Sequence, residues 1–259
     1  MAQPSLSVVM PCLNEERNVE EAVRSTLRAL DRFGIPGEVI VVNDGSRDKT
    51  AEVAGRLASQ DPRVRTISHS RPQGIGASFW DGARSAGMDY VTMIPGDNEN
   101  VPEELLTYFS LTRDVDMVVP FVYNVEVRSL FRRILSSFYR LIINFSFGTN
   151  LNYTNGTVIY NRRALQEIEL GSKGFFYQTE LLVRLIRAGY LYAEVPYFLK
   201  GRKVGTTKAV SLKSLRAVAE GYLRLVWDVH VARRAGRAGG RLHPGSATAK
   251  RIRHVETPS

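Results

Sequence analysis

Residues 91–105 read VTMIPGDNENVPEEL, and they join an apolar run to a helix start through an acidic turn. The apolar run ends at Ile94, and Pro102 suits the first position of a helix. Asp97 and Glu99 lie in the turn between them. Carboxylates at the end of a buried strand usually hold something cationic. The stretch therefore predicts a strand–helix unit with a cation site at its junction.

The segments before this turn alternate in the same way. Apolar runs predict strands at 6–10, 39–42, 64–68, 90–94 and 117–119. Helical patterns predict helices at 16–33, 49–59 and 75–86, and another from Pro102. This alternation predicts an α/β fold, a Rossmann-like and mostly parallel sheet flanked by helices. Ligands of such sheets bind beyond the carboxyl ends of the strands, where the turns PCLNEE, NDGS and PGDNEN all fall.

The bulk composition limits the class of protein. The chain has 259 residues, 44% of them hydrophobic, which suits one large globular domain. The net charge of +9 favours anionic partners. A single cysteine, Cys12, excludes an intrachain disulfide framework and predicts a reducing cytoplasm. No apolar run reaches the ~18–20 residues that span a bilayer, and the first residues lack a basic signal segment.

The second half predicts amphipathic helices at 128–147 and 212–229. The first has large apolar residues at helical spacing, namely Phe131, Ile134, Leu135, Phe138, Leu141, Ile142 and Phe145. Two alternatives stay open: both helices pack on the sheet, or one or both lie in a membrane interface. Residues 232–259 are basic and rich in Gly and Ala, so they predict a disordered tail, either solubilising or adhering to an anionic membrane face.

Taken in order, these motifs resemble a known family. They are strand-P-x-x-N-E, V-V-N-D-G-S-x-D-x-T, R-x-x-G-I-G-x-S and an acidic turn before P-E-E. The order resembles the inverting GT-A glycosyltransferases of family 2. Three later segments, 153–156, 175–180 and 202–208, are most similar to the T-S-G, F-x-x-E and R-x-x-G-x-S-K motifs of the dolichyl- and polyprenyl-phosphate sugar transferases.

The resemblance spans roughly residues 5–230 and implies a domain organisation. Residues 1–231 form a GT-A domain, with a nucleotide-sugar-binding half at 1–122 and an acceptor half with amphipathic helices at 123–231. The resemblance also implies nucleotide-sugar contacts from Pro11, Asn14, Glu15, Asn43, Asp44, Arg71, Gly74, Gly76 and Asp97. Structural alternatives stay open for these motifs. Asn14 suits a helix cap, and residues 43–46 suit an Asx-type turn.

A divalent cation, Mg²⁺ or Mn²⁺, is implied where the family has D-x-D-x-Q. Here Pro95 replaces the first aspartate, Asp97 is kept, and Glu99 replaces the glutamine. Hard carboxylate oxygens suit such metals, so we expect Asp97 as the main ligand and Glu99 as the second. The alternative is a turn stabilised by a capping acid.

The acceptor site is implied by basic residues. We expect Arg128, Arg140 and Arg202 to bind the acceptor phosphate, since guanidinium groups match phosphate geometry. A solvated basic face is the alternative for the first two. The residues expected to be catalytic are Asp97, Arg202, Lys208 and Glu180. Glu180 either stabilises the acceptor side or caps its helix.

These inferences predict an inverting transfer of a sugar from a GDP- or UDP-sugar to a polyprenyl phosphate of the dolichyl or undecaprenyl type. The enzyme would be peripheral to the cytoplasmic membrane face. Nucleic acid is not expected as a partner, because the basic tail lacks interleaved aromatic residues. Two alternatives stay open. One is a family 2 transferase with a soluble or glycan acceptor, and the other is a non-catalytic nucleotide-sugar binder, suggested by Asn43, Pro95 and Asn152 in place of carboxylates.

Overall fold

The structure is a computed structural model that describes residues 3–124, 126, 130–168, 170–198, 212–232 and 242–256. The side chains at 132, 212–214, 255 and 256 are not described. Three predicted site residues, Arg128, Arg202 and Lys208, lie outside the described residues.

The chain forms two compact units. Unit 1 is Met1–Ser110 with Thr157–Arg162, and unit 2 is Leu111–Gly156 with Arg163–Ser259. The sequence predicts that the first half ends at residue 122. The two compact units instead divide after Ser110, and the chain returns once to unit 1 at Thr157–Arg162. The functional meaning of the two halves stays a prediction.

The predicted strands and helices of the first 120 residues are confirmed, with bounds that differ by a few residues. The strands are β1 (Leu6–Cys12), β2 (Gly37–Asn43), β3 (Val64–Ser68), β4 (Tyr90–Met93), β5 (Met117–Val122), β6 (Ile159–Asn161) and β7 (Tyr192–Tyr197). The α-helices are α1 (Val19–Arg32), α2 (Thr50–Gln60), α3 (Ile75–Ser85), α4 (Pro102–Leu106), α5 (Leu130–Phe147), α6 (Arg162–Gln166), α7 (Tyr177–Arg187), α8 (Leu212–Val226) and α9 (Ala247–Glu256). A 3-10 turn (Phe109–Arg113) and a π-helical turn (Trp227–Val231) complete the regular elements of the described residues.

The strands of unit 1 follow the order β3-β2-β1-β4-β6. β1 pairs in parallel with both β2 and β4, β2 pairs in parallel with β3, and β6 is antiparallel to β4. Every residue of β1 is buried, as expected for a strand covered on both faces. The predicted α/β class with a mostly parallel sheet is confirmed.

The strand order of unit 1 reverses at β1, because β2 and β3 lie on one side of it and β4 on the other. In doubly wound sheets the crevice at this reversal, beyond the carboxyl ends, receives the ligand. The backbones of β1 and β4 stay together past the last strand residues. Ile94 N–H donates to Val9 O (3.0 Å), and Gly96 N–H donates to Pro11 O (3.1 Å). The acidic turn of residues 95–100 therefore begins at the reversal point.

Unit 2 contains the parallel pair β5 and β7 and an apolar cluster with residues from α5, α7 and its N-cap, α8 and the π-helical turn. The buried members of the cluster are Ile143, Phe147, Phe176, Val183, Leu225 and Val229. Of the predicted stripe of α8, Leu225 and Val229 are buried in this cluster, whereas Leu215 is exposed. The predicted stripe of α5 is largely exposed. Packing of either helix on the sheet stays a prediction. None of the helices in the described ranges is long and apolar enough to cross a membrane.

The expectation of a disordered tail is wrong for residues 247–256, which form α9. The cause is Asp116, which is fully buried. Its carboxylate accepts hydrogen bonds from the N–H groups of Ala247 (2.8 Å) and Thr248 (3.0 Å) and from the Thr248 hydroxyl. The first N–H groups of a helix lack intrahelical acceptors, so an anion there stabilises the helix.

We expect Asp116→Ala to lower the free energy of unfolding by about 2–3 kcal/mol, because it leaves buried N–H groups without an acceptor. Urea denaturation followed by circular dichroism measures the change. Asp114→Ala removes an exposed carboxylate two residues earlier and serves as the control. Equal stability of the two variants would show that Asp116 does not hold α9.

Candidate functional site

The turns after β1 and β2 are joined by hydrogen bonds between their backbones and side chains. Asn14 N–H donates to Ser46 Oγ (3.0 Å), and Glu15 N–H donates to Thr50 Oγ1 (2.8 Å). In the opposite direction, Arg47 N–H donates to Asn14 Oδ1 (2.9 Å). The two predicted nucleotide-binding turns are therefore held as one structure. The alternation of Ser, Asp and Thr after β2 is the sequence signal for these contacts.

Asn14 does not cap the first helix, so this structural alternative is wrong. The N-cap residue of α1 is Asn18, and Asn14 adopts a left-handed backbone conformation (φ 59°). Its side chain is instead committed to the turn after β2. Glu15 is half-buried and accepts a hydrogen bond from Asn18 Nδ2 (2.8 Å). Pro11 is buried within β1. Nucleotide contacts from Pro11, Asn14 and Glu15 stay predictions.

Asp44 is buried and organises the loop after β3. Its Oδ1 accepts from Gln73 N–H (2.7 Å) and lies 2.8 Å from His69 Nδ1, while its Oδ2 accepts from Gly74 N–H (2.9 Å). Burial by itself raises the pKa of Asp44, but the hydrogen bonds from His69, Gln73 and Gly74 outweigh it and hold the pKa below its ordinary value. Asp44 therefore stays ionised at neutral pH and fixes the loop that carries Arg71.

Two glycines allow this loop to approach β2 closely. A Cβ on Gly45 would lie 2.6 Å from the carbonyl carbon of Arg71, and the residue has a φ of +68°. Gly74 has a φ of 102°, and Gly76 is buried in the first turn of α3. The structure thus brings Asp44, Arg71, Gly74 and Gly76 together as predicted, through backbone contacts. The side chain of Arg71 is exposed, and its contact with the nucleotide stays a prediction.

Asn43 forms the Asx-type turn that was the structural alternative for residues 43–46. Its Oδ1 accepts from Ser46 N–H at 3.1 Å. The amide is buried. A role of Asn43 towards the nucleotide stays a prediction.

His69 is a site residue that the sequence analysis did not assign. Its side chain is only 6% exposed, with Nδ1 2.8 Å from Asp44 Oδ1 and Nε2 3.2 Å from Asp81 Oδ2. The second contact lacks hydrogen-bonding geometry. The ring lies between the carboxylates of Asp44 and Asp81, which are distant from it in sequence. No local sequence pattern could therefore have predicted these contacts.

The acidic turn after β4 packs against the end of β1. A Cβ on Gly96 would lie 2.3 Å from Cys12 Sγ, so only glycine fits there. Asp97 Oδ1 accepts from Glu99 N–H (3.1 Å), and Asn98 has a φ of 56°. Asp97 therefore stabilises its own turn, as the structural alternative proposed. Both carboxylates are half-buried.

The crevice beside Cys12 is acidic. Burial raises the pKa of the Cys12 thiol, and the negative charges of Glu15, Asp97 and Asp48 raise it further. These three carboxylates therefore lie close enough to act on one group. Carboxylates gathered in this way attract a cation.

The residues present fit a divalent metal shared with substrate phosphates. No group of three or more His, Cys, Asp or Glu that could hold a metal ion is found within the described ranges. Mg²⁺ ordinarily takes one or two carboxylates together with phosphate oxygens and water. Asp97 and Glu99 supply two hard oxygen donors on one turn, which matches that set.

In unit 2, Glu180 anchors a loop and does not cap its helix. It is 2% exposed, and its two oxygens accept from Gly171 N–H (3.0 Å) and Ser172 N–H (2.9 Å). Arg184 Nε also donates to it (2.9 Å). The N-cap residue of α7 is Phe176, without a side-chain cap bond, so the capping alternative is wrong. A role of Glu180 on the acceptor side stays a prediction.

Arg140 is half-buried and donates from Nη1 to Asn152 O at 3.3 Å. Asn152 in turn donates to Glu194, from its backbone N–H (2.7 Å) and from Nδ2 (2.8 Å). A carboxylate at position 152 would face Glu194 without a proton to donate. The amide at this position therefore has a local structural cause.

Comparison with known proteins identifies the family. Residues 7–169 match the family model "Glycosyl transferase family 2". The chain belongs to this family. The resemblance in its motifs is thereby confirmed, and the family 2 residues of unit 1 include the acidic turn and the turns after β1 and β2.

Relatives of this family 2 chain include two enzymes whose names contain a polyprenol or an undecaprenyl phosphate. It is 29% identical to the polyprenol monophosphomannose synthase of Mycolicibacterium smegmatis over 78% of this chain and 79% of that protein. It is 29% identical to glycosyltransferase AglD of Haloferax volcanii over 90% of this chain and 38% of the relative. It is 34% identical to an undecaprenyl-phosphate 4-deoxy-4-formamido-L-arabinose transferase of Pectobacterium atrosepticum over 57% of this chain and 45% of the relative. The chain thus spans less than half the length of the last two.

Solved structures with the same fold include glucosyl-3-phosphoglycerate synthase from Mycobacterium tuberculosis. The TM-score is 0.64 at 23% identity, covering 86% of this chain and 81% of that one. Another structure of that synthase contains Mn²⁺, uridine diphosphate and glucosyl-3-phosphoglycerate. The likeness, together with the family, confirms the predicted GT-A fold.

We expect Gly96→Ala to destabilise the family 2 fold by about 1–3 kcal/mol, because the added methyl group overlaps Cys12 Sγ. The double variant with Cys12→Ala should recover part of that loss, which chemical denaturation in a double-mutant cycle measures. Gly55→Ala, where a Cβ meets open space on α2, is the matched control and should stabilise by about 0.5–1 kcal/mol. If Gly96→Ala and Cys12→Ala changed the free energy of unfolding additively, the predicted overlap between the added methyl group and Cys12 Sγ would be absent.

We expect the contribution of Asp44 to stability to depend on pH. Its pKa is lowered on folding, so the ionised carboxylate stabilises the fold above the unfolded pKa of about 3.9 and loses this effect as the pH falls through the folded pKa. The difference in unfolding free energy between wild type and Asp44→Asn should therefore be constant near neutral pH and shrink below about pH 4. Urea denaturation at several pH values measures it, and Asp114→Asn controls for net charge. If the difference in unfolding free energy between wild type and Asp44→Asn grew in acid, the pKa of Asp44 would not be lowered on folding.

Proposed function

We propose that the chain transfers one sugar, with inversion, from a nucleotide sugar to a polyprenyl phosphate at the cytoplasmic membrane face. The observation that carries this proposal is the placement of Asp97 and Glu99 at the strand-order reversal, beside the joined turns after β1 and β2. Family 2 membership supports the reaction class. The polyprenol monophosphomannose synthase of Mycolicibacterium smegmatis supports the acceptor class, because this chain covers 79% of its length.

In this proposal the nucleotide of a GDP- or UDP-sugar lies across the turns of unit 1. The residues proposed to contact it are Pro11, Asn14, Glu15, Asn43, Asp44, Arg71, Gly74, Gly76 and Asp97. Two of them act mainly by shaping the crevice. Asp44 fixes the loop of residues 69–74, and Asn14 joins the two turns.

Asp97 and Glu99 are proposed to hold Mg²⁺ or Mn²⁺, which when bound neutralises charge on the leaving diphosphate. The carboxylates around Cys12, which include Asp97, support a cation at this place, because negative charges attract it. The fold neighbour that binds Mn²⁺ and uridine diphosphate gives further support.

The acceptor phosphate is already ionised at neutral pH, so it needs no general base. One of its oxygens attacks the anomeric carbon from the face opposite the diphosphate. The bond between that carbon and the diphosphate oxygen breaks, and the nucleoside diphosphate leaves. Arg128, Arg140 and Arg202 are proposed to bind the acceptor phosphate, and Lys208 is proposed as a catalytic residue. Buried Glu180 is proposed as a positioning residue, since its oxygens fix Gly171 and Ser172.

We expect Asp97→Ala to lower kcat/KM by about 10²–10³-fold, because the charge of the leaving group loses its stabilisation. The assay combines the purified chain, polyprenyl phosphate, Mg²⁺ or Mn²⁺, and a panel of labelled GDP- and UDP-sugars. Transfer of label into the organic phase is the readout. Glu104→Ala in the first turn of α4 is the matched control and should retain the wild-type rate.

Other outcomes separate the alternatives. If the sugar were transferred only to a water-soluble acceptor, polyprenyl phosphate would not be the acceptor. A metal-dependent thermal shift with one nucleotide sugar, without transfer to any acceptor, would favour a non-catalytic binder. A wild-type rate for Asp97→Ala would remove Asp97 from the metal site.

A further inference from the structure

Helix α5 has two faces with different surroundings. One face is fixed to unit 2, where Ile143 and Phe147 are buried in the apolar cluster. Tyr139 OH lies 2.8 Å from Thr179 Oγ1, which adds a polar contact on the same side. The helix is therefore held in a defined orientation by its C-terminal half.

The opposite face of α5 is apolar and exposed. Its members, here named the α5 stripe, are Leu130, Phe131, Ile134, Leu135, Phe138, Leu141 and Phe145. Phe131 is 71% exposed and Phe145 is 91% exposed. At ~100° per residue the seven side chains fall on one side of the helix. Single exposed apolar residues are ordinary, but a contiguous stripe of this kind marks a docking surface.

The charges of α5 indicate what docks there. The helix contains Arg132, Arg133 and Arg140 and no acidic residue. At ~100° per residue Arg133 and Arg140 lie beyond one edge of the α5 stripe, so a symmetric contact between two stripes would leave both outside it, with no acidic residue of the helix to pair with. An anionic lipid surface complements both properties, since acyl chains accept the stripe and headgroups accept the guanidinium groups.

We propose that the α5 stripe inserts into the interface of an anionic membrane leaflet, with the helix lying in the membrane plane. The 18 residues of α5 make a contact line ~27 Å long. This inference rests on the proposed function, because membrane binding would give the enzyme access to a lipid acceptor. The α5 stripe is the surface that would provide this access. Membrane binding itself needs neither donor nor acceptor, so its failure is distinguishable from a failure of transfer.

The first test is flotation of the full chain with vesicles of phosphatidylcholine, with and without phosphatidylglycerol, in the absence of nucleotide sugar and polyprenyl phosphate. We expect binding to the phosphatidylglycerol vesicles. Ile134→Asp or Phe138→Asp should lower the partition coefficient about tenfold or more, because each removes a large buried apolar group from the lipid. Ala51→Asp adds the same charge at an exposed position of α2, outside the α5 stripe, and should bind like wild type. Circular dichroism confirms that the variants fold.

The second test measures insertion directly. The only cysteine, Cys12, is 1% exposed, so a thiol-reactive fluorophore labels an introduced cysteine selectively. A fluorophore on Leu141→Cys should shift to shorter wavelength with vesicles, whereas one on Ala51→Cys, at an exposed position of α2, should not. Flotation that the stripe variants leave unchanged would overturn the proposal. So would a homodimer that the same variants dissociate while vesicle binding stays as in wild type.

Discussion

Between the carboxyl ends of β1 and β4 there is no room for a side chain. Gly96 lies against Cys12, and its N–H binds Pro11, so the backbone enters the acidic turn in a fixed direction. Gly45 makes a comparable approach to the backbone of Arg71. These two close approaches, together with the hydrogen bonds of Asp44 to Gln73 and Gly74, determine where Asp97 and the loop of residues 69–74 lie.

Local patterns were sufficient for the elements of unit 1, because buried parallel strands and the helices between them differ in period and composition. They were not sufficient where a partner is distant in the chain. Asparagine often caps helices, but Asn14 Oδ1 instead accepts a hydrogen bond from Arg47 N–H, 33 residues away. α9 has a tail-like sequence, yet it is held by Asp116, 131 residues before it. His69 likewise depends on Asp44. Tertiary hydrogen bonds of this kind leave no periodic trace in a sequence.

The missing carboxylates of the family pattern have different physical meanings. Asn152 donates through Nδ2 to Glu194, which an ionised aspartate could not do, so a carboxylate remains at this place but comes from β7. Asn43 accepts from Ser46 N–H through its side-chain oxygen, a hydrogen bond that an aspartate carboxylate could also accept. Nothing in the structure explains Pro95. Three substitutions that look alike in sequence are therefore not one loss of function.

The return of the chain to unit 1 has a consequence for how the protein is made. β6 borders β4, where Thr92 Oγ1 donates to Val158 O (3.0 Å) and Arg162 N–H to Asp89 O (2.9 Å). During synthesis, residues 111–156 leave the ribosome before this border strand exists. Until then β4, whose residues are all buried in the finished fold, is an open edge able to pair with another chain. Severing the gene after Ser110 would make that temporary edge permanent, so the first unit is a folding unit only when its later segment accompanies it.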